Sequence, residues 1–347
     1  MVIKGIYLVM KDWLRCINEF FFYVSGVILA NASLDIAFHD NNVNKLISPS
    51  AICALGKPQE TDNGINKSCA RQQATHLDYI YPFFVGLLEA DGTITTNIRS
   101  NKTIEQKPRT RVFIALKRNE ENINMLNIMA KYICGHVALE KKQDYEYVTW
   151  ICQKERDLVK LFAILAKYPL LTARKQSQFN FATACLNRKF KYDLFIKSRR
   201  EKYENKLEQL NILANKKIPN YFPAWLSGFI EGEGNFSLVF NDKGSLRKSA
   251  FTIGQNDEIH ILEWIKTYFK GETKILKDKP KKKDGNFTYY RLHLYNEKTR
   301  KNIFNHFESY PLLGHKLISY NKFYLYHINP KKKYPSPSIN PLSQAGK

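Results

Sequence analysis

The chain has 347 residues, with 54 Lys and Arg against 32 Asp and Glu, a formal net charge of +22. That length allows two compact domains or one large one without disulfide or metal staples, and a charge excess of this size exceeds what solubility requires and asks for an anionic partner. The 20 Tyr and 22 Phe among the basic residues favour nucleic acid over a membrane surface or an acidic protein, while six scattered cysteines (Cys16, Cys53, Cys69, Cys134, Cys152, Cys185) without C-x-x-C spacing read as free thiols and argue against structural zinc.

Residues 1–77 hold seven Lys/Arg and six Asp/Glu, so +21 of the net charge belongs to residues 78–347. The N-terminal stretch reads as an exon-derived and linker segment appended to the rest. An apolar stretch runs from Phe20 to Ala30, but Lys11, Asp12, Arg15 and Glu19 interrupt the pattern upstream. Neither a spanning helix of about 20 apolar residues nor a secretory signal is evident. The run SGVILANASLDIAFHD, Ser25 to Asp40, resembles an internal piece of cytochrome oxidase subunit I. It stops after Asp40 and continues as NNVNKL, as if an exon had been read into an intron.

From Asp78 the chain repeats itself. FVGLLEADG (Phe84 to Gly92) returns as LSGFIEGEG (Leu226 to Gly234), and FIALK (Phe113 to Lys117) as FTIGQ (Phe251 to Gln255). An apolar-periodic segment ends at Gly135 and again at Gly271, and YPLL at Tyr168 returns at Tyr310. The offsets are 233 − 91 = 142, 255 − 117 = 138, 271 − 135 = 136 and 310 − 168 = 142, a drift that loop-length differences produce. The spacing predicts a first repeat over 78–186, a basic helical linker over 187–219, a second repeat over 220–329 and a flexible basic tail over 330–347.

Within each repeat the pattern predicts helix, two strands, helix, two strands, helix. Pro82 and Pro223 are expected to begin helices that Gly92 and Gly234 end. Alternation then puts Ile94, Thr96 and Ile98 opposite Thr95, Asn97 and Arg99, and Phe236, Leu238 and Phe240 opposite Ser237, Val239 and Asn241. The second strand is partly apolar on both faces, which leaves open the face that Lys117 shares. Tyr203, Leu207, Leu210 and Leu213 give the linker helical spacing, and a continuous helix there would span about 50 Å.

The two nonamers resemble the paired motifs of single-chain LAGLIDADG homing endonucleases, over about residues 78–329. The resemblance implies an α+β fold of two pseudo-symmetric αββαββα repeats, each with a curved antiparallel sheet, forming a DNA-binding saddle. Gly86 with Ala90, and Gly228 with Gly232, place small residues one turn apart, which lets the two helices pack closely. Asp91 and Glu233 then meet near a shared axis, where two carboxylates and a phosphate need divalent cations between them. The resemblance implies metal-assisted hydrolysis of a phosphodiester in each strand, with Mg²⁺ or another divalent cation such as Mn²⁺ held by Asp91 and Glu233. Lys117, Gln255, Arg174 and Lys316 match further basic or polar catalytic positions of the family, and a one-residue shift would choose Lys175 in place of Arg174. Glu89 and Glu231, two residues before the catalytic positions, point elsewhere on the helix.

The strands supply the expected DNA surface: Thr95, Asn97, Arg99, Arg109 and Arg111 in the first repeat, and Ser237, Asn241, Lys243, Arg247 and Lys248 in the second. Arg and Asn suit base edges and Lys suits phosphate. Two non-identical halves imply a long, asymmetric target, and the oxidase-like leader points to the uninterrupted oxidase gene. The resemblance further implies an organelle-encoded mitochondrial protein acting as a monomer on double-stranded DNA, with no protein partner required. An alternative stays open, an RNA maturase that binds its own group I intron with or without nuclease activity. So does a third, sequence-specific DNA binding without cleavage.

Overall fold

In the computed structural model the described residues are 76–329, apart from 143–144, 187, 242–244 and 279–286. The oxidase-like run, Lys243 and the basic tail lie outside them. The chain divides into two compact units, Met1–Gln72 and Gln73–Lys347, and both repeats fall in the second.

The first repeat runs α1 (His76–Asp91), β1 (Gly92–Asn97), β2 (Arg109–Lys117), α2 (Glu120–Tyr132), β3 (His136–Lys142), β4 (Tyr145–Cys152), α3 (Glu155–Lys167) and α4 (Ala173–Cys185). Two connecting helices come next, α5 (Tyr192–Glu201) and α6 (Lys206–Ala214), broken at residues 202–205 where one continuous linker helix was expected. The second repeat runs α7 (Phe222–Glu233), β5 (Asn235–Phe240), β6 (Leu246–Asn256), α8 (Ile259–Tyr268), β7 (Leu276–Lys277), β8 (Tyr289–Leu294), α9 (Glu297–Ser309) and α10 (Lys316–Ile328). Each half forms a four-stranded antiparallel sheet of the same topology, β1-β2-β4-β3 and β5-β6-β8-β7. The fold is the expected α+β duplication, with one more helix per repeat than the pattern predicted.

Local chemistry sets these elements. Asn119 precedes α2 in an extended conformation and its side chain accepts from the Asn122 N–H at 2.9 Å, and Asn296 does the same for Thr299 before α9 at 2.8 Å, each satisfying a donor the helix leaves free. On α3, Leu158, Leu161, Phe162 and Leu165 form one buried stripe, and Phe162 meets Phe179 of α4 edge-on at 5.1 Å. In the second half Phe236 of β5 is ringed by Phe251, Phe307, Tyr320 and Phe323. In each repeat helices therefore cover one face of the sheet and leave the other outward.

Two expectations about the motif helices need correction. Pro82 lies inside α1, which begins six residues earlier at His76, so only Pro223 occupies a helix start. Tyr79 in the added turn is buried and its hydroxyl donates to the Pro311 carbonyl, a tertiary bond that keeps this turn helical although Pro82 lacks an N–H. The glycine after the second motif helix is not a left-handed cap either: Gly234 is extended (φ −75°, ψ 151°), and a Cβ there would lie 2.8 Å from the Ile230 carbonyl oxygen. Close approach, not backbone freedom, selects it.

The register also corrects the alignment of the repeats. Thr93 pairs with Phe113, and Asn235, its counterpart at an offset of 142, pairs with Thr252. The second strands are thus related by 252 − 113 = 139, not 138. Lys117 corresponds to Asn256, and Gln255 to Leu116. The FIALK and FTIGQ match is one residue out because strand partners, not sequence likeness, decide which residues share a face.

Candidate active site

Within the unit that holds both repeats, the two halves meet at the contact between α1 and α7. A Cβ on Gly86 would strike the Trp225 carbonyl oxygen and lie 2.8 Å from the Phe229 nitrogen; one on Gly228 would strike the Phe83 carbonyl oxygen and lie 2.9 Å from the Leu87 nitrogen. Since 228 − 86, 225 − 83 and 229 − 87 are all 142, the contact is self-complementary, each glycine admitting the other helix's backbone. One turn on, a Cβ on Gly232 would meet the Ala90 Cβ and the Asp91 carboxylate oxygen at 2.6 Å each. All four small residues expected at this interface lie in it.

Glu89 and Glu231 hold the adjoining chain in place. Glu89, 5% exposed, accepts from the N–H of Leu171 at 2.8 Å, the N–H and hydroxyl of Thr172 at 2.7 and 2.8 Å, and the indole N–H of Trp225 at 2.6 Å. Glu231, 9% exposed, accepts from the N–H groups of Leu313 at 2.8 Å, Gly314 at 2.7 Å and Lys316 at 3.3 Å. Burial pushes both carboxyls up to about 7 against these hydrogen bonds. From the opposite repeat, the Tyr221 hydroxyl donates to the Pro169 carbonyl at 2.6 Å, as that of Tyr79 does to Pro311. The YPLL segments recur because each is held by its own repeat's glutamate and the other repeat's tyrosine.

These anchors set the start of α4 and α10, and so the placement of Lys175 and Lys316. Lys175 is 8% exposed, and its ammonium donates to the Gly92 carbonyl and faces Glu89, Asp91 and Glu233. Burial, then the Arg174 charge, lowers it to about 8 while the carboxylates oppose the shift. Arg174 is exposed, with its backbone N–H on Glu258 at 3.3 Å. The position nearest the carboxylates therefore belongs to Lys175, which follows YPLL after three residues (Thr172 to Arg174) where Lys316 follows it after two (Gly314 and His315).

Asp91 and Glu233 end the two helices side by side. Burial raises both pKa values, with Lys316 and Lys175 opposing the shift at Asp91. At Glu233 a hydrogen bond from Gln255 is the main opposing effect, and the nearby Asp91 charge raises it further. Gln255 also donates to the Gly254 carbonyl at 2.8 Å. Lys117, its intended counterpart, is exposed on the outward face of β2.

That face carries most of the predicted surface. Thr95 pairs with Arg111 and Asn97 with Arg109, and alternate burial along β1 and β2 turns these four outward with Lys117. Arg111 lies 5.1 Å from the Phe113 ring centroid and 4.0 Å from Glu140. β1 stops at Asn97, so Arg99 is an exposed loop residue. On the second sheet Lys248 and Arg247 are exposed, and Ser237 is half-buried with its hydroxyl on the Ala250 carbonyl at 3.1 Å. Asn241 lies in the turn after β5, where its side chain accepts from the Ser245 N–H at 2.8 Å. Sequence reasoning missed Tyr147, opposite Lys117, and Arg291, His293 and Tyr289, opposite Gly254, Thr252 and Asn256. They lie on strands that pair out of chain order, and no local pattern announces that.

The LAGLIDADG endonuclease family model matches residues 84–185 and 226–327. The chain belongs to that family. Each LAGLIDADG match falls on one structural repeat. A probable intron-encoded endonuclease aI3 of Debaryomyces hansenii is 30% identical over 351 residues, 86% of this chain and 48% of that relative, so the chain spans about half of its length. The like-named protein of Dictyostelium citrinum is 33% identical over 246 residues, 70% of this chain and 93% of the relative. Among solved structures, the LAGLIDADG meganuclease I-CpaMI bound to uncleaved DNA matches with a TM-score of 0.54 at 19% identity, over 72% of this chain and 92% of that one. I-LtrWI bound to target DNA matches at 0.52 and 20% identity, over 74% and 92%. These likenesses establish the shared LAGLIDADG fold.

The donor set fits a hard divalent cation. Asp91 and Glu233 offer only oxygen, and their mutual repulsion is what a cation between them would relieve. Among the described residues no group of three or more His, Cys, Asp or Glu is close enough to form a closed cage. Backbone carbonyls, water and a bound phosphate are the oxygens left to complete the shell of a cation held by this pair, which suits a metal shared with its substrate.

Proposed function

We propose that this protein is a site-specific double-strand DNA endonuclease of the intron-homing type, acting at a long asymmetric target in the uninterrupted cytochrome oxidase subunit I gene. The observation that carries this reading is the convergence of Asp91 and Glu233 at the ends of the interlocked helices, with Lys175 and Lys316 beside them. Asp91 and Glu233 hold Mg²⁺, or Mn²⁺ in its place; when bound, the cation polarises the phosphate and activates water. Gln255 orients the Glu233 carboxylate. Lys175 and Lys316 offset the negative charge that gathers when phosphate joins two carboxylates. Thr95, Arg99, Arg109, Arg111 and Lys117 on one side, and Ser237, Asn241, Lys243, Arg247 and Lys248 on the other, read and grip the duplex. The oxidase-like leader and the intron-encoded relatives support the choice of gene and an organellar, mitochondrial setting.

The test is incubation of the full chain with Mg²⁺ and a plasmid carrying the uninterrupted oxidase gene, beside Asp91→Asn and Glu233→Gln. A single double-strand break is expected with the unaltered chain and not with either variant. Tight binding of the intron RNA without cleavage of the plasmid would overturn the nuclease reading in favour of a maturase.

A further inference from the structure

We propose that the connecting helix α5 is a second nucleic-acid contact, extending the DNA interface beyond the outer end of the first repeat's sheet by gripping phosphates through Lys197, Arg199 and Arg200. This rests on the proposed DNA endonuclease function and adds to it a surface that lies in neither repeat. From Arg188 to Lys206 the chain carries eight Lys and Arg against Asp193, Glu201 and Glu204. All three proposed side chains are exposed.

The helix is docked, not dangling. Phe190 just before it exchanges backbone hydrogen bonds with Gln106 of the β1–β2 loop, at 3.0 and 2.9 Å. Phe195 is fully buried and meets Phe181 and Phe190 with ring centroids 5.6 and 5.9 Å apart. Its acids are partly answered, Asp193 lying 3.9 Å from Lys102 and Glu201 3.9 Å from Lys197.

The decisive contact is between helix and sheet. Arg199 donates from Nη1 to the Asn97 Oδ1 at 3.1 Å, and the Asn97 amide donates in turn to the Thr95 hydroxyl at 3.2 Å. Asn97, read from the sequence as a base contact, thus has its side chain engaged on both sides as the anchor of an arginine. It is the last residue of β1, five residues from Gly92 at the central helix end, or about 17 Å outward along the strand. A duplex lying on the outward sheet face and continuing past Asn97 passes the basic helix next. Arg199 uses one of its five N–H donors on Asn97, which leaves a fixed guanidinium for phosphate. Among the described residues the second repeat has no equivalent helix, so this contact lengthens the interface on the first repeat's side.

Hydroxyl-radical footprinting of the full chain on DNA carrying the uninterrupted oxidase gene tests this, with Lys197→Gln/Arg200→Gln and Lys197→Gln/Arg199→Gln/Arg200→Gln compared. The double variant alters only exposed side chains that do not touch Asn97, so folding loss does not confound it. Backbone protection is expected to reach further on one side of the cut than on the other, and to shorten on that side alone in both variants. The log–log salt dependence of binding should become shallower by about 2 in the double variant and about 3 in the triple. A footprint of equal reach on both sides, or one unchanged in the variants, overturns the proposal. So does a variant that loses structured intron RNA while keeping the full DNA footprint. Absence of protection anywhere would instead defeat the DNA reading itself, and this proposal with it.

Discussion

The two repeats are copies that agree on one class of residue and differ on another. Tyr79 and Tyr221, and Gly86 and Gly228, sit 142 residues apart and make the same contacts across the pseudo-symmetry axis, and Glu89 and Glu231, at the same offset, each hold the YPLL segment of their own repeat. Elsewhere the chemistry diverges. Asp91 faces Glu233, Leu116 stands where the second half has Gln255, and Phe83 stands where Trp225 donates to Glu89. Residues that hold one half to the other are constrained twice, once as each partner. Residues that face outward answer only to their own side of a substrate.

The strongest test of the shared part is the glycine pair. Gly86→Ala and Gly228→Ala each drive a methyl into a backbone carbonyl, which no rotamer change relieves, so each is expected to cost about 3 kcal/mol or more. The two losses should be equal within error in denaturant melts, and clearly unequal losses would break the self-complementary description of the contact. The buried glutamates rank second. Glu89→Ala and Glu231→Ala each strand backbone donors, at about 3 kcal/mol or more, with the loss in Glu89→Ala larger by about 1 kcal/mol for the orphaned Trp225 indole; urea melts of the two variants measure that gap.

Glu89 and Glu231 make stability depend on pH in both halves, and one further position sets the halves apart. Asn119 caps its own helix α2, whereas Glu258, its counterpart at 258 − 139 = 119, makes no such bond and accepts instead from the Arg174 N–H across the interface. Burial, reinforced by the Glu89 charge and opposed by Lys206, pushes the Glu258 carboxyl up to about 8. A carboxyl raised above its unfolded value contributes stability that is full below about 4.5 and is lost as pH rises through 8. Thermal melts are expected to show stability lost between pH 5 and pH 9, with Glu258→Gln removing about 1–3 kcal/mol of that loss, the raised carboxyls of Glu89 and Glu231 keeping the rest, and an Asn119 variant leaving the slope unchanged.

The smallest expected effect concerns the divergent part. Gln255→Ala frees the Glu233 carboxylate without touching Asp91, so nicked intermediate should accumulate, one strand being cut about 10- to 100-fold more slowly. Equal slowing of both strands would show that Gln255 serves the whole site.

Much of the fold and of the site is legible in the residues alone. The repeat, the two acidic helix ends, the small residues between the helices and the alternation along β1 depend on local spacing, which helix and strand periods translate directly into faces. The departures share one cause. Pro82 looks like a helix start because its tolerance inside α1 depends on a tyrosine bonded to the other repeat. Gln255 looks like the match of Lys117 because the register is decided by β1 and β4, not by β2 alone. Arg174 looks preferable to Lys175 because the loop before them is set by Glu89, 82 residues away along the chain.

By itself, then, the sequence determined that this is a duplicated, strongly basic chain with two acid-ended helices, since periodicity and composition are properties of neighbouring residues. Only the tertiary structure decided which lysine reaches the carboxylates, which face each strand residue takes, and that Arg199 of the connecting helix meets Asn97 of the sheet. Those depend on contacts between segments about a hundred residues apart, where chain geometry and the avoidance of unpaired buried groups choose among alternatives that local pattern leaves equal.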